Sequence, residues 1–317
     1  MSATTTTAQV GDTRRDRPVR RSRYGGPHGS RATPYLFLLP YLLLFVTFVA
    51  VPAVFGIWIS LHNWDFLLPG KPFVGADNYT ALFDPESVQY EPFWHGMQAT
   101  AIFTVASVPF LVLVPLGLAV LLNRQFPGRT FFRATFFAPY VLGVAVIGLM
   151  WRYLLDPSFG AVNGVLAMIG MPPVNWITEQ PWAWVSLVGV TVWWTIGFNA
   201  IIYLAGLADI SNEQYEAAEL DGASKWQQFV HVTVPGLRPV MVFVITTTIL
   251  ASANMFGQSY LITQGAPGDS TRTAIMEITE RGLGQYRMGE AAAMSYVLAV
   301  MLGLIAALNF YLLREKK

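Results

Sequence analysis

Cysteine is absent from the 317 residues, and charge is scarce, with Asp, Glu, Lys and Arg making up 12%. The missing thiols exclude a disulfide framework, a Cys-ligated zinc site and any thiol chemistry. They also leave the redox compartment unreadable. Soluble globular proteins carry about 25% charged residues, so a soluble chain this poor in charge has little with which to cover its surface. Basic excess is lacking too. A formal net charge of +1 argues against a nucleic-acid binder, which needs cations to neutralise phosphates. Disorder over most of the chain is excluded, because it requires low hydrophobicity and high net charge.

Apolar length is present in abundance. The chain is 54% hydrophobic, and its mean hydropathy is +0.45. Six stretches run apolar for about 20 residues or more, enough to cross a hydrocarbon core as helices. They lie near 35–60, 98–122, 134–155, 183–207, 239–262 and 289–313. The predicted fold class is all-α, a polytopic membrane bundle of six helices. Only Arg152 and Glu290 fall inside these bounds, each near an end from which it can snorkel to the interface. The ten Trp and 21 Phe suit interfacial anchoring in a bilayer.

Orientation follows from the loops. With the N-terminus in the cytoplasm, fifteen of the 20 Lys and Arg lie inside, and eight of the 19 acids do. The inner side is then +7 and the outer side −6, which places both termini in the cytoplasm. Residues 1–33 carry seven Arg, a TTTT run and few apolar residues, and read as a disordered cytoplasmic tail. A cleavable signal peptide fits poorly: the polar stretch is long, the apolar run exceeds an h-region, and no A-x-A site follows. Pro40, Pro52, Pro109, Pro115 and Pro139 should bend their helices. Gly289, Ala292, Ala293 and Ser295 suit close packing of the last span.

Further absences narrow the function. No Asp, Glu, Lys or His lies mid-span, which argues against a carrier driven by an internal titrating group. No G-x-x-x-x-G-K-[ST] loop is present, so the chain does not itself bind ATP in a P-loop. Gly265-Ala266-Pro267-Gly268 reads as a turn. The four histidines are scattered without ligand spacing, and no G-x-S-x-G elbow occurs. Asp84 and Glu86 read as a solvated loop rather than a catalytic pair. No catalytic residue, metal site or cofactor is expected in this chain.

The cytoplasmic loop 208–238 is the most informative segment. Ser211 with Gln214, and Ser224 with Gln227, each spell an S-x-x-Q capping box. Gly222 stands where a C′ glycine would end the first of two short helices. Trp226, Phe229 and Val230 share a face of the second, and Pro235 and Pro239 close the segment. Five acids (Asp209, Glu213, Glu216, Glu219, Asp221) make this loop acidic on a positive-inside face. A helix lying on anionic lipid is normally basic, so a protein partner is expected.

Glu216-Ala217-Ala218, then Gly222, then Val232-x-Val234-Pro235 resembles the EAA motif E-A-A-x3-G-x9-I-x-L-P. That motif marks membrane subunits of binding-protein-dependent ABC importers. Val232 and Val234 replace the usual Ile and Leu. Phe73-Val74-Gly75, Pro139-Tyr140, Trp151-Arg152-Tyr153 and Leu261-Ile262-Thr263 before Gly265-Ala266-Pro267 are similar to carbohydrate-type subunits of the MalF/UgpA family. The resemblance covers about residues 35–313. It departs from the maltose subunit in having six spans rather than eight.

The resemblance implies the type I importer permease fold over residues 34–314. It implies coupling to an ATPase through Glu216, Ala217, Ala218, Asp221, Gly222 and Pro235. Implied partners are a second homologous permease, two ATP-binding subunits that hold ATP-Mg, and an extracytoplasmic solute-binding protein, in a bacterial cytoplasmic membrane. A sugar path needs amides, hydroxyls and aromatic faces. Candidates are Tyr140, Trp194, Asn199, Ser252, Asn254 and Gln258, with Asn254 and Gln258 expected on one helical face. Trp193, Gly197 and Gly143 lie beside them, Gly143 where the family carries a Ser. Helix–helix bonding is the competing role for each polar side chain. Two alternatives stay open: the same machine for glycerol phosphate or another polar solute, and a stand-alone secondary carrier.

Overall fold

The computed structural model describes residues 33–313; the tail expected at 1–33 lies outside the described residues except for Thr33. Two compact units are distinguished, 1–53 and 54–317. In the first, the helix Thr33–Phe45 passes through a π-helical turn at Val46–Ala50. Pro40 sits within it without ending it. Tyr35–Ser60 (α1) is a candidate membrane span.

The second unit carries Tyr90–Asn123 (α2), Arg129–Val141 (α3), Val144–Leu154 (α4) and Trp182–Ala208 (α5). Next come the short helix Asn212–Leu220 (α6), Lys225–Gly236 (α7) and Arg238–Ala253 (α8). Ala274–Thr279 (α9) and Met288–Leu313 (α10) complete it. Among the described residues no strand forms, only two isolated bridges. Four helices (Tyr35–Ser60, Tyr90–Asn123, Trp182–Ala208 and Met288–Asn309) are long and apolar enough to cross a membrane. Two bent pairs raise the count to six if each is one span.

The first bent pair is the span expected at 134–155, broken close to the bend expected at Pro139; the second turns at Leu237, just ahead of the span expected at 239–262. α3 and α4 meet at 95°. Leu142 and Gly143 are both extended there, with ψ of 136° and 151°, just after Pro139, which cannot donate to the ladder. α7 and α8 meet at 69°. α8 stops at Ala253, and the chain is irregular before a π-helical turn at Ser259–Thr263. By contrast α2 runs unbroken through Pro109 and Pro115 and begins eight residues before its expected start.

Packing explains where these elements sit. The C-terminal parts of α2 and α5 and the start of α8 bury Leu116, Ala119, Tyr203, Leu207, Leu237 and Val244 in one cluster. A second cluster joins Phe103, Ile147, Leu187, Met255 and Ile262. At Gly197 a Cβ would stand 2.2 Å from Phe136 O, so only glycine lets α5 cross α3 this closely. The two broken spans also touch through glycine: a Cβ at Gly257 would meet Val144 at 2.5 Å, and one at Gly148 would meet Leu261 at 2.6 Å. Gly289 repeats the device at the start of α10, where a Cβ would stand 2.1 Å from His62 O.

The region around α9 and the start of α10 is knit by ions. Glu277 is 3% exposed and pairs with Arg272 at 2.9 Å and Arg281 at 3.5 Å. Arg281 reaches Glu290 at 3.6 Å, which also takes Arg287 at 3.1 Å. Glu290 is therefore ion-paired within the protein rather than snorkelling.

Candidate functional site

The acidic loop is a preshaped hairpin. Ser211 caps α6, but its Oγ accepts from Glu213 N rather than from the Gln214 amide, so the first expected capping box does not form. The second does: Ser224 Oγ accepts Gln227 N, and Gln227 Oε1 accepts Ser224 N at 2.7 Å. Gly222 adopts φ +78°. Ala223 N donates to Ala218 O and Gly222 N to Glu219 O. This is the double hydrogen bond of a glycine C-cap, and it turns the chain from α6 into α7.

A strut then fixes the hairpin. The Tyr215 hydroxyl and Thr233 Oγ1 are 2.9 Å apart, and Tyr215, Phe229 and Val232 pack on the first cluster. Trp226 lies against Phe229 as expected, their ring centroids 5.5 Å apart, but it is 70% exposed. Leu220 is 90% exposed, beside exposed Glu216, Ala217, Glu219 and Asp221. Ala218 is half-buried and Pro235 exposed. α7 runs through Pro235 to Gly236 instead of closing there. The strut was missed in the sequence, where Tyr215 and Thr233 share no motif.

The six path candidates converge. Tyr140, Trp194, Asn199, Ser252, Asn254 and Gln258 all line one cavity of about 440 Å³ between the α3–α4 break, α5 and α8. None of its lining side chains is charged. Tyr140 stacks on Phe198 at 4.5 Å and 16°. Trp194 Nε1 donates to Leu142 O at 3.1 Å. Thr191, Thr195 and Thr247 donate their hydroxyl protons to carbonyls four residues back, so their oxygens remain as acceptors.

Two candidates also join helices. Asn199 Nδ2 donates to Leu111 O at 3.0 Å, and Ser252 Oγ accepts from Ser107 Oγ at 3.2 Å. Asn254 donates to Leu250 O. The helix is interrupted between Asn254 and Gln258, so the expected shared helical face is lost although both line the cavity. Trp193 lies instead in a separate apolar crevice and packs on Trp151. Sequence reasoning missed Phe198 and Phe256; an aromatic within an apolar run carries no signal of which way it faces. Among the described residues no group of three or more His, Asp or Glu could hold a metal ion.

A trehalose/maltose transport system permease protein of Thermococcus litoralis is 31% identical over 268 residues, covering 84% of this chain and 89% of that protein. An arabinooligosaccharide transport system permease of Bacillus subtilis is 31% identical, covering 90% of each. In three dimensions the chain is similar, with a TM-score of 0.76 and 25% identity, to a bacterial ABC transporter involved in the import of the acidic polysaccharide alginate. That match covers 89% of this chain and 94% of the other. Residues 99–317 match the family described as the binding-protein-dependent transport system inner membrane component, and the chain belongs to that family.

Proposed function

We propose that this chain is the membrane subunit of an ATP-driven, binding-protein-dependent importer that moves a neutral sugar or oligosaccharide into the cell. The single observation that carries the solute class is the cavity: aromatic faces, amides and hydroxyl acceptors, with no charged group. A phosphate-bearing solute would call for a cationic partner along the path, which disfavours glycerol phosphate.

Both termini face the cytoplasm on this reading. The loop 208–238 docks on one of two ATP-binding subunits, which hold ATP-Mg, and a second homologous permease completes the path. A solute-binding protein delivers sugar from outside. Glu216, Ala217, Ala218, Asp221 and Gly222 form the docking surface with exposed Leu220 and Trp226, and Pro235 lies at its base. Closure of the ATPase pair moves this surface. Because α7 joins α8 through the bend at Leu237, that movement is delivered to the helix lining the cavity. The chain carries no chemistry of its own.

The test is purification of the tagged chain from its own membranes in mild detergent, with identification of what accompanies it. Recovery of a second permease and a Walker-motif ATPase is expected. Recovery of the chain alone after crosslinking refutes the assignment. Glu216→Ala should abolish ATP-driven uptake while leaving the membrane level of the protein unchanged; normal uptake would remove Glu216 from the docking surface.

A further inference from the structure

The two helix breaks that open the cavity each free a backbone carbonyl. In a bilayer such a group must find a donor within the protein. At the first break, Leu142 and Gly143 are extended, and Leu142 O takes the Trp194 indole N–H at 3.1 Å. At the second, Met255 lies between the end of α8 and the restart of helix at Gly257. Its carbonyl takes the Thr273 hydroxyl at 2.8 Å. Thr273 is fully buried and Met255 3% exposed, so no water competes for that bond.

Thr273 holds a position where its hydroxyl has other work. It is the N-cap of α9, with extended φ and ψ, yet its side chain makes no capping bond. An N-cap threonine ordinarily accepts from an amide of the first turn. Here the first amide, Ala274 N, is served by Thr100 Oγ1 of α2 at 2.9 Å. With that amide served from α2, the Thr273 hydroxyl is turned toward the break, where it donates to Met255 O. Trp194 is similarly committed: its N–H is spent on Leu142 O, and its ring lies tilted beside Tyr140 at 6.4 Å.

We infer that Thr273 and Trp194 are positioning residues, each fixing one helix break by donating to its freed carbonyl and together setting the shape of the cavity. That the cavity is the solute path rests on the function proposed above; the role of the two donors does not. Trp194 on this account shapes the site through Leu142 and Tyr140 rather than serving as a stacking platform for sugar. Thr273 acts through Met255 on the wall carrying Asn254 and Gln258, and touches no solute.

The absence of native cysteine gives a direct test. A Gln258→Cys reporter is placed in the full chain, with its co-expressed partners, in membrane vesicles. Its rate of modification by a small methanethiosulfonate is measured, with Glu86→Cys in the exposed outer loop as reference. Thr273→Val removes the hydroxyl at nearly constant volume. It should change the Gln258→Cys rate about tenfold, the effect of losing one such bond, and leave the reference rate unchanged. Thr273→Ser keeps the donor and should restore the parent rate. Trp194→Phe, read by Val144→Cys, tests the other break in the same way.

Unchanged reporter rates in both Val and Phe variants overturn the inference. So does a Ser variant that behaves like Val. Loss of both variants from the membrane also overturns it, since donors that only shape a cavity leave insertion intact. Labelling needs no solute or ATP. Failure of the parent complex to take up sugar would therefore count against the transport reading alone.

Discussion

Replacing Gly222 separates two reasons for a glycine in the loop proposed to dock on the ATPase. Its φ of +78° lies in the left-handed region, while a Cβ built there meets nothing within 4 Å. Crowding inside this chain is therefore not the constraint; backbone conformation is. Alanine in that region costs about 1–2 kcal/mol, a β-branched residue more, and asparagine is the non-glycine residue that best tolerates it. A penalty of ~1.4 kcal/mol lowers the population of the capped hairpin about tenfold. It undoes the Ala223–Ala218 and Gly222–Glu219 bonds that aim α7 away from α6. ATP-driven uptake should thus fall in the order Gly, Asn, Ala, Val, at constant membrane abundance. Hydrogen exchange at the Ala223 amide should rise in the same order. A Val variant with full uptake and a protected amide would refute the strain argument. Asn as damaging as Val, with its amide still protected, would show instead that the partner needs the bare backbone surface.

Three other perturbations probe the frame around the site. Glu277→Ala leaves buried Arg281 and half-buried Arg272 without their shared carboxylate. It should cost about 3–5 kcal/mol, seen as a large fall in the unfolding temperature of detergent-purified protein; a shift no larger than that of an exposed-site control would contradict the buried pairing. Gly197→Ala puts a methyl against Phe136 O and Phe137 Cα, at 2.2 and 2.5 Å. About 1–3 kcal/mol of overpacking is expected, with α5 pushed off α3, and an unshifted melting curve would mean the crossing is looser than described. Asn163 donates to Pro157 O and Val174 O and accepts from Val174 N and Trp176 Nε1. Asn163→Ala should cost about 2–3 kcal/mol through the groups left unpaired, and Asn163→Asp, which turns a buried carboxylate toward the Pro157 and Val174 carbonyls, should lower the melting temperature at least as much.

The apolar runs, the charge asymmetry and the spaced E-A-A, Gly, Pro pattern were legible in the sequence because each is local or a simple sum. A span needs only length and hydropathy, and a C′ glycine or an S-x-x-Q box acts within four residues. Both capping serines and Gly222 were correctly placed on that basis, although Ser211 chose a different amide from the one its box implied. Pro139 marked the span at 134–155 for a bend, but the size of both breaks was not legible because hydropathy does not register direction: the residues across 142–143 and 254–256 stay apolar enough to look continuous. Whether a carbonyl freed there finds a donor depends on Trp194, 52 positions away, and on Thr273, 18 positions away. The same holds for the cavity, whose lining converges from α2, α3, α4, α5, α8 and the segment after α8, and for Glu277, whose partners lie on both sides of α9. Composition determined that this chain enters a bilayer, and which way round it is expected to lie. Only tertiary packing decided where its helices break, because a broken hydrogen-bond ladder survives in hydrocarbon only where another part of the fold supplies the missing partner.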